Sequence, residues 1–250
     1  MTDLAAIHPA AARTSVQARL PDGRIFEAPI GASLRAVLAI AAQWGDDPAV
    51  AAIVNGRLTE LTVPLAGDAD VAPITARDSD GVRIYRRSLV FLLVTAAAEV
   101  FPEAAVVIDH AATTVGAYFC SVVGRPPFSQ AELDRIAARM REIVGQDAPI
   151  VKTGRTNDEA MAVFEARGER DKARLLAHRT KPGISLYELR GRLDYFQGYM
   201  VPSAGLLTHF ALHAHPPGFM LQFPHQSRPT VLDAVTPYPK LFAVFEEYAN

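Results

Sequence analysis

The sequence predicts an α+β protein in two parts: a small β-grasp-like domain, then a larger α+β domain with an antiparallel sheet. Three observations carry this. Short alternating runs, one helical stretch and several turn dipeptides fill residues 15–77. A polar, turn-prone break, Asp78-Ser79-Asp80-Gly81, comes next and reads as a linker. Beyond it, over 78–250, helical patterns opened by capping boxes alternate with β-rich runs. The 250 residues are half hydrophobic, enough for one large or two small domains with real cores.

Each element has its own signal. Residues 1–14 are alanine-rich without periodicity and read as a flexible tail. Ser15 to Leu20 alternates apolar and polar residues as a strand does. Pro21-Asp22-Gly23 is a turn, and Arg24 to Ala28 pairs back as a hairpin. Ser33 caps a helix through Ala42 with Leu34, Val37, Leu38 and Ala41 on one face. Val50 to Val54 is a strand closed by the hairpin dipeptide Asn55-Gly56. Leu65 to Asp68 turns the chain into a last strand at Val71 to Ile74.

In the second part, Arg86 to Phe101 is apolar on all sides, the mark of a buried helix. Ala105 to Ile108 and Gly116 to Val122 read as strands. Ser129 with Glu132 and Thr156 with Glu159 form capping boxes that open two helices. The second of these stops at Gly168, and a charged helix spans Glu169 to His178. Strands are expected at Ile184 to Leu189, Leu193 to Phe196, Leu206 to Ala214 and Phe219 to Phe223.

Composition excludes several classes. Lys plus Arg at 25 against Asp plus Glu at 27 rules out a strongly basic nucleic-acid surface. One cysteine, Cys120, rules out a disulfide framework and a multi-cysteine zinc site. Met1-Thr2-Asp3-Leu4 lacks the cationic and apolar stretches of a secretory signal. The run from Leu89 to Ala98, broken by Thr95, is shorter than the roughly 18 residues a bilayer needs. The expectation is a cytoplasmic chain without a membrane partner. No phosphate-cradling Gly-x-x-x-x-Gly-Lys-Ser/Thr loop occurs, so the chain as given is no kinase.

Leu20-Pro21-Asp22-Gly23, Val54-Asn55-Gly56 and the turn near Asp68 resemble the TGS domain that opens threonyl-tRNA synthetases. The part beyond the linker is similar to their second domain, which removes wrongly attached serine from tRNA. A closer resemblance is to the amino-terminal half of uridine-kinase-like proteins of the phosphoribulokinase/uridine kinase family. It rests on Tyr85-Arg86-Arg87-Ser88-Leu89, Gly168-Glu169-Arg170-Asp171-Lys172, Asp194-Tyr195-Phe196, Met200-Val201-Pro202-Ser203, Pro217-Gly218-Phe219 and Pro239-Lys240-Leu241-Phe242. There the two domains precede a kinase domain, which this chain stops short of.

The resemblance also marks what is lost. The editing synthetases carry a histidine pair where this chain has Arg87 and Phe91. They carry a cysteine and a histidine where it has Phe196 and Met200. Arginine stays protonated, and neither phenylalanine nor methionine replaces a histidine or cysteine on zinc. Ester hydrolysis is therefore expected to be absent, with no cofactor and no metal. The old cleft is the expected ligand site, walled by Arg87, Asp109, His110, Tyr118, Asp194, Tyr195, Gln197 and Tyr199, with Phe196 and Met200. Arginine among aromatic rings favours a small polar or anionic ligand. The competing reading is that Phe91, Phe196 and Met200 fill the hole as core.

If chemistry survives there, His110, Tyr118 and Tyr199 are the candidate acid–base groups, making a free-standing enzyme the alternative to a binding module. Cys120 reads as a small buried hydrophobe rather than a nucleophile. His209, His213 and His215 share a face if their segment is a strand, and form the alternative metal set. The cluster from Arg167 to Arg174 reads as a solvated helix face. Expected partners are a kinase domain in cis or in trans and, weakly, RNA.

Overall fold

A computed structural model describes residues 11–42, 47–112 and 116–234. The first ten residues of the expected tail and the motif Pro239-Lys240-Leu241-Phe242 lie outside them. The fold is α+β and divides into two compact units, 1–74 and 75–250.

The first unit is a five-stranded sheet on one helix. Strands β1 (Ser15–Arg19) and β2 (Ile25–Pro29) form the expected antiparallel hairpin, with Gly23 at positive φ in its turn. Helix α1 (Leu34–Ala41) begins at Ser33, whose side chain accepts from the Ala36 amide, and it buries the four residues its periodicity selects. Strands β3 (Ala49–Val54) and β4 (Arg57–Thr59) turn on Asn55 and Gly56, both at positive φ as that turn demands. Strand β5 (Ala69–Thr75) lies parallel to β1, giving the order β2-β1-β5-β3-β4. Val16, Ala18, Leu38, Ala52 and Val71 belong to one buried cluster.

The second unit opens with α2 (Ser79–Val100). The expected linker is thus the first turn of a helix. Asp78 caps the preceding turn, its carboxylate accepting from the amide and hydroxyl of Thr75, and Gly81 is buried. Strands β6 (Ala105–Ala112) and β7 (Ala117–Val123) pair antiparallel with a bulge between Ile108 and His110. Helix α3 (Gln130–Gly145) starts at the Ser129–Glu132 capping box and buries Leu133, Ile136, Met140 and Ile143.

Strand β8 (Ile150–Arg155) precedes α4 (Asn157–Ala166), which opens at the Thr156–Glu159 box, and α5 (Arg170–Ala177). Strands β9 (Ile184–Leu189) and β10 (Arg192–Asp194) come next, turning on Arg190 and Gly191. Strands β11 (Ala211–His215) and β12 (Gly218–Gln222) are the last two described. Two antiparallel sheets result, β10-β9-β8 and β11-β12-β7-β6. Helix α2 packs against α3, β6 and β9, so it is the element from which the site is built.

The run expected as a strand from Leu206 to Ala214 divides. Ala204–Leu206 is a 3-10 turn, and only Ala211–His215 joins the ladder. Leu207 and Phe210 are buried by tertiary packing, not by strand alternation.

Candidate functional site

Of the residues expected to wall a cleft, Arg87, Phe196, Tyr199 and Met200 meet where the chain after β10 lies against α2. The contact is built by a few groups. Arg87 Nη1 donates to the Tyr199 carbonyl at 2.6 Å. Its guanidinium rests on Gly198, where an added Cβ would sit 2.8 Å from Arg87 Cζ and would move that side chain's tip; φ there is +110°, which is what calls for glycine. One turn on, the Phe91 and Phe196 ring centroids are 5.1 Å apart.

Between them Ser88 is fully buried and fully used. Its hydroxyl donates to the Ile84 carbonyl at 2.8 Å, accepts from the Val201 amide at 3.0 Å, and has Met200 Sδ at 3.7 Å. Phe91, Met200 and Val201 are core residues. Tyr187 donates to the Gly198 carbonyl at 2.9 Å, and Lys152 Nζ stands 5.1 Å from the Tyr199 ring. Gln197 is exposed.

Asp194 and Tyr195 belong to a second group. Asp194 is buried and takes Lys172 Nζ at 2.7 Å and the Tyr195 amide at 2.8 Å, with Arg167 and Arg192 each at 3.8 Å. Glu169 completes the network, pairing with Arg167, Lys172 and Arg192. Burial raises the Glu169 pKa, but Lys172 and Arg167 outweigh it and hold the group below its ordinary value. The cluster expected as a solvated face is therefore partly a half-buried ion network that pins β10 to α5. A buried carboxylate is stable only with such pairing, so Asp194 orders the hairpin. Lys172, which its sequence context marks only as surface, is the closest cation to Asp194.

The strand residues form a third group. His110 stacks on Phe119, centroids 5.2 Å apart, and His215 meets the same ring edge-on at 6.1 Å. Asp109, at the bulge, accepts from Ser121 at 3.2 Å. His213 Nε2 lies 3.0 Å from Gln222 Oε1, and Gln222 donates to the Asp233 carbonyl. Register places His110, Phe119, Met220 and His213 in one row across four strands. His209 lies before β11, its backbone bonded both ways to the Tyr85 hydroxyl. The expectation of three converging histidines fails here, because only two of them are on the strand. Among the described residues no group of three or more His, Cys, Asp or Glu could hold a metal ion.

Tyr118 points to the opposite face of β7 from Phe119. Its ring packs on Phe223, centroids 5.0 Å apart. The guanidinium over that Phe223 ring is Arg86, at 4.2 Å, not Arg87. Sequence reasoning picks out Tyr118 and misses Arg86. Cys120 is fully buried, and burial pushes its thiol up to about 12.

Comparison with known proteins agrees with the resemblance to threonyl-tRNA synthetases. The chain is 36% identical over 194 residues to threonine–tRNA ligase of Hyphomonas neptunium, covering 77% of this chain and 29% of that protein. It is 36% identical over 200 residues to the ligase of Methylobacillus flagellatus, covering 78% and 30%. It is 35% identical over 200 residues to that of Rhodospirillum rubrum, covering 77% and 30%. The chain thus spans under a third of the length of these relatives. No family model matches it. The similarity supports a TGS- and editing-like region.

Proposed function

We propose that this chain is a degenerate editing-type module. It binds a small polar or anionic ligand and regulates, as the non-kinase half of a uridine-kinase-like protein, without hydrolysing esters. The observation that carries this is the packing of α2 on the chain after β10. Arg87 on the Tyr199 carbonyl, Phe91 on Phe196, and Met200 beside Ser88 occupy the positions to which the resemblance to editing synthetases assigns two histidines, a cysteine and a third histidine. Hydrolysis needs a nucleophile or an activated water beside the ester. Two aromatic rings, a thioether and an engaged guanidinium supply neither. The kinase link is supported by the motifs around Arg87, Lys172 and Asp194 and by their order along the chain.

The alternative is a free-standing enzyme, with Arg87 as anion anchor and His110 as acid or base. It is less well served. Arg87 is committed to a backbone carbonyl, and His110 is stacked in the sheet face. The test is deacylation of Ser-tRNA(Thr) by purified protein over a range of protein concentrations. The expected rate is the uncatalysed background at every concentration. Hydrolysis that rises with protein and is lost in Tyr199→Ala would overturn the reading.

A further inference from the structure

Several half-buried arginines of the second unit meet carboxylates: Arg125 meets Glu132, Arg139 and Arg190 meet Glu99, and Arg167 and Arg192 meet Glu169, while Arg87 meets a backbone carbonyl. Arg86 differs. Its charge lies over the Phe223 ring, and among the described residues its Nε is buried without a hydrogen-bond partner, as are the Nε atoms of Arg167 and Arg192, whose guanidinium groups nonetheless meet Glu169. Burial lowers its pKa, opposed only by Tyr118. Tyr118 packs on the same ring. A guanidinium and a phenol, both hydrogen-bond donors, thus share one phenylalanine ring, and among the described residues neither has an ion-pair partner.

The surroundings narrow what can reach Arg86. A slot beside it is lined by Val82, Tyr85, Pro224 and Pro229. The Gln226 amide donates to the Arg77 carbonyl at 2.7 Å and holds this segment beside the start of α2. The slot is partly open to solvent, and its accessible volume is about 10 Å³, room for roughly one water-sized group. That is space for one oxygen of a ligand's tip, with the rest of the tip lying in the open mouth.

Taking a guanidinium partly out of water costs free energy that the face of one aromatic ring offsets only in part. A planar fork with unspent N–H groups matches a planar or tetrahedral oxyanion. We propose that Arg86, assisted by the Tyr118 hydroxyl, is the receptor for the phosphate or carboxylate tip of a small ligand. This deepens the proposed ligand-binding function and rests on it for the claim that the chain holds such a ligand. It moves the anion from Arg87 to the neighbouring Arg86.

The experiment is thermal unfolding of the full chain against inorganic phosphate, and separately acetate, with chloride holding the ionic strength constant. A ligand that binds only the folded state raises the midpoint saturably. The wild type is expected to show that rise with one or both anions. The anion that acts identifies the tip as phosphate or carboxylate. Arg86→Met should abolish the rise, Tyr118→Phe should weaken the half-saturation several-fold, and Arg83→Met, at an exposed position of the same helix, should keep it.

No saturable rise with either anion would overturn the proposal. So would an equal rise in Arg86→Met. Should Arg86→Met fail to fold, Tyr118→Phe keeps the ring packing and decides: an unchanged half-saturation sinks the site. A chain that hydrolyses Ser-tRNA yet shows Arg86-dependent anion binding would sink the loss of hydrolysis alone and leave the anion site standing.

Discussion

Cys120 shows how far one residue's chemistry is set by its surroundings. It sits on β7 opposite Phe219 of β12, with no exposed surface. Burial disfavours the thiolate and lifts the thiol to about 12, and the thiolate is the reactive form. The native protein at pH 8 is therefore expected to resist an aromatic disulfide reagent, and unfolding in denaturant should release one reactive thiol. Prompt labelling of the native state would show that β7 and β12 open readily or that the thiol has another environment. Residue type alone indicated burial, because free cysteine behaves as a small hydrophobe. The role of Arg86 was not legible in the same way. Its charge is defined by a ring far along the chain, and no local pattern distinguishes it from Arg87 beside it.

At the scale of elements, the contact between α2 and the chain after β10 turns on Ser88. Replacing it by alanine leaves the Val201 amide buried without its acceptor, and such a group costs about 1–3 kcal/mol. Ser88→Ala should therefore destabilise the second unit by that much, read from its urea unfolding. Ser121→Ala, whose hydroxyl serves Asp109 in an exposed contact, should stay within about 0.5 kcal/mol. Equal losses in the two variants would mean that the contact does not hold the hairpin. The helices were legible from their caps and periods, since Ser33, Ser129 and Thr156 each make the predicted bond. Strand β8 was not legible. It is an edge strand whose only buried residue is Ile150, so its Val, Lys, Gly and Arg carry no alternation. The reading of Asp78 to Gly81 as a linker failed for a different reason. Asp, Ser and Gly favour turns and helix starts alike, and the choice fell to the buried face of α2.

For the whole molecule, one sign governs stability in acid. The Arg13 side chain holds Asp68 low, the Arg24 amide holds Asp22 low, and the Thr156 amide does the same for Glu159. Against the cost of burial, Arg190 and Arg139 hold Glu99 low, as Lys172 and Arg167 hold Glu169. Arg125 and Ser129 take Glu132 furthest, from 4.5 to about 2. Each group binds its proton more tightly in the unfolded chain. Each contribution is thus complete above the ordinary carboxylate range and drains away as pH falls through the folded values. At the alkaline end Cys120 and Tyr85, both raised to about 12 by burial, act in reverse. The unfolded chain ionises them first, so stability falls above about pH 9. A plateau between these limits, with a steep acid shoulder from about pH 4.5 down to 2, is the expected shape of the urea midpoint against pH. Glu132→Gln should flatten that shoulder, because the variant no longer has the carboxylate whose proton affinity changes most on folding. An acid shoulder of undiminished slope in Glu132→Gln would mean that the Arg125–Glu132–Ser129 contact does not persist in solution.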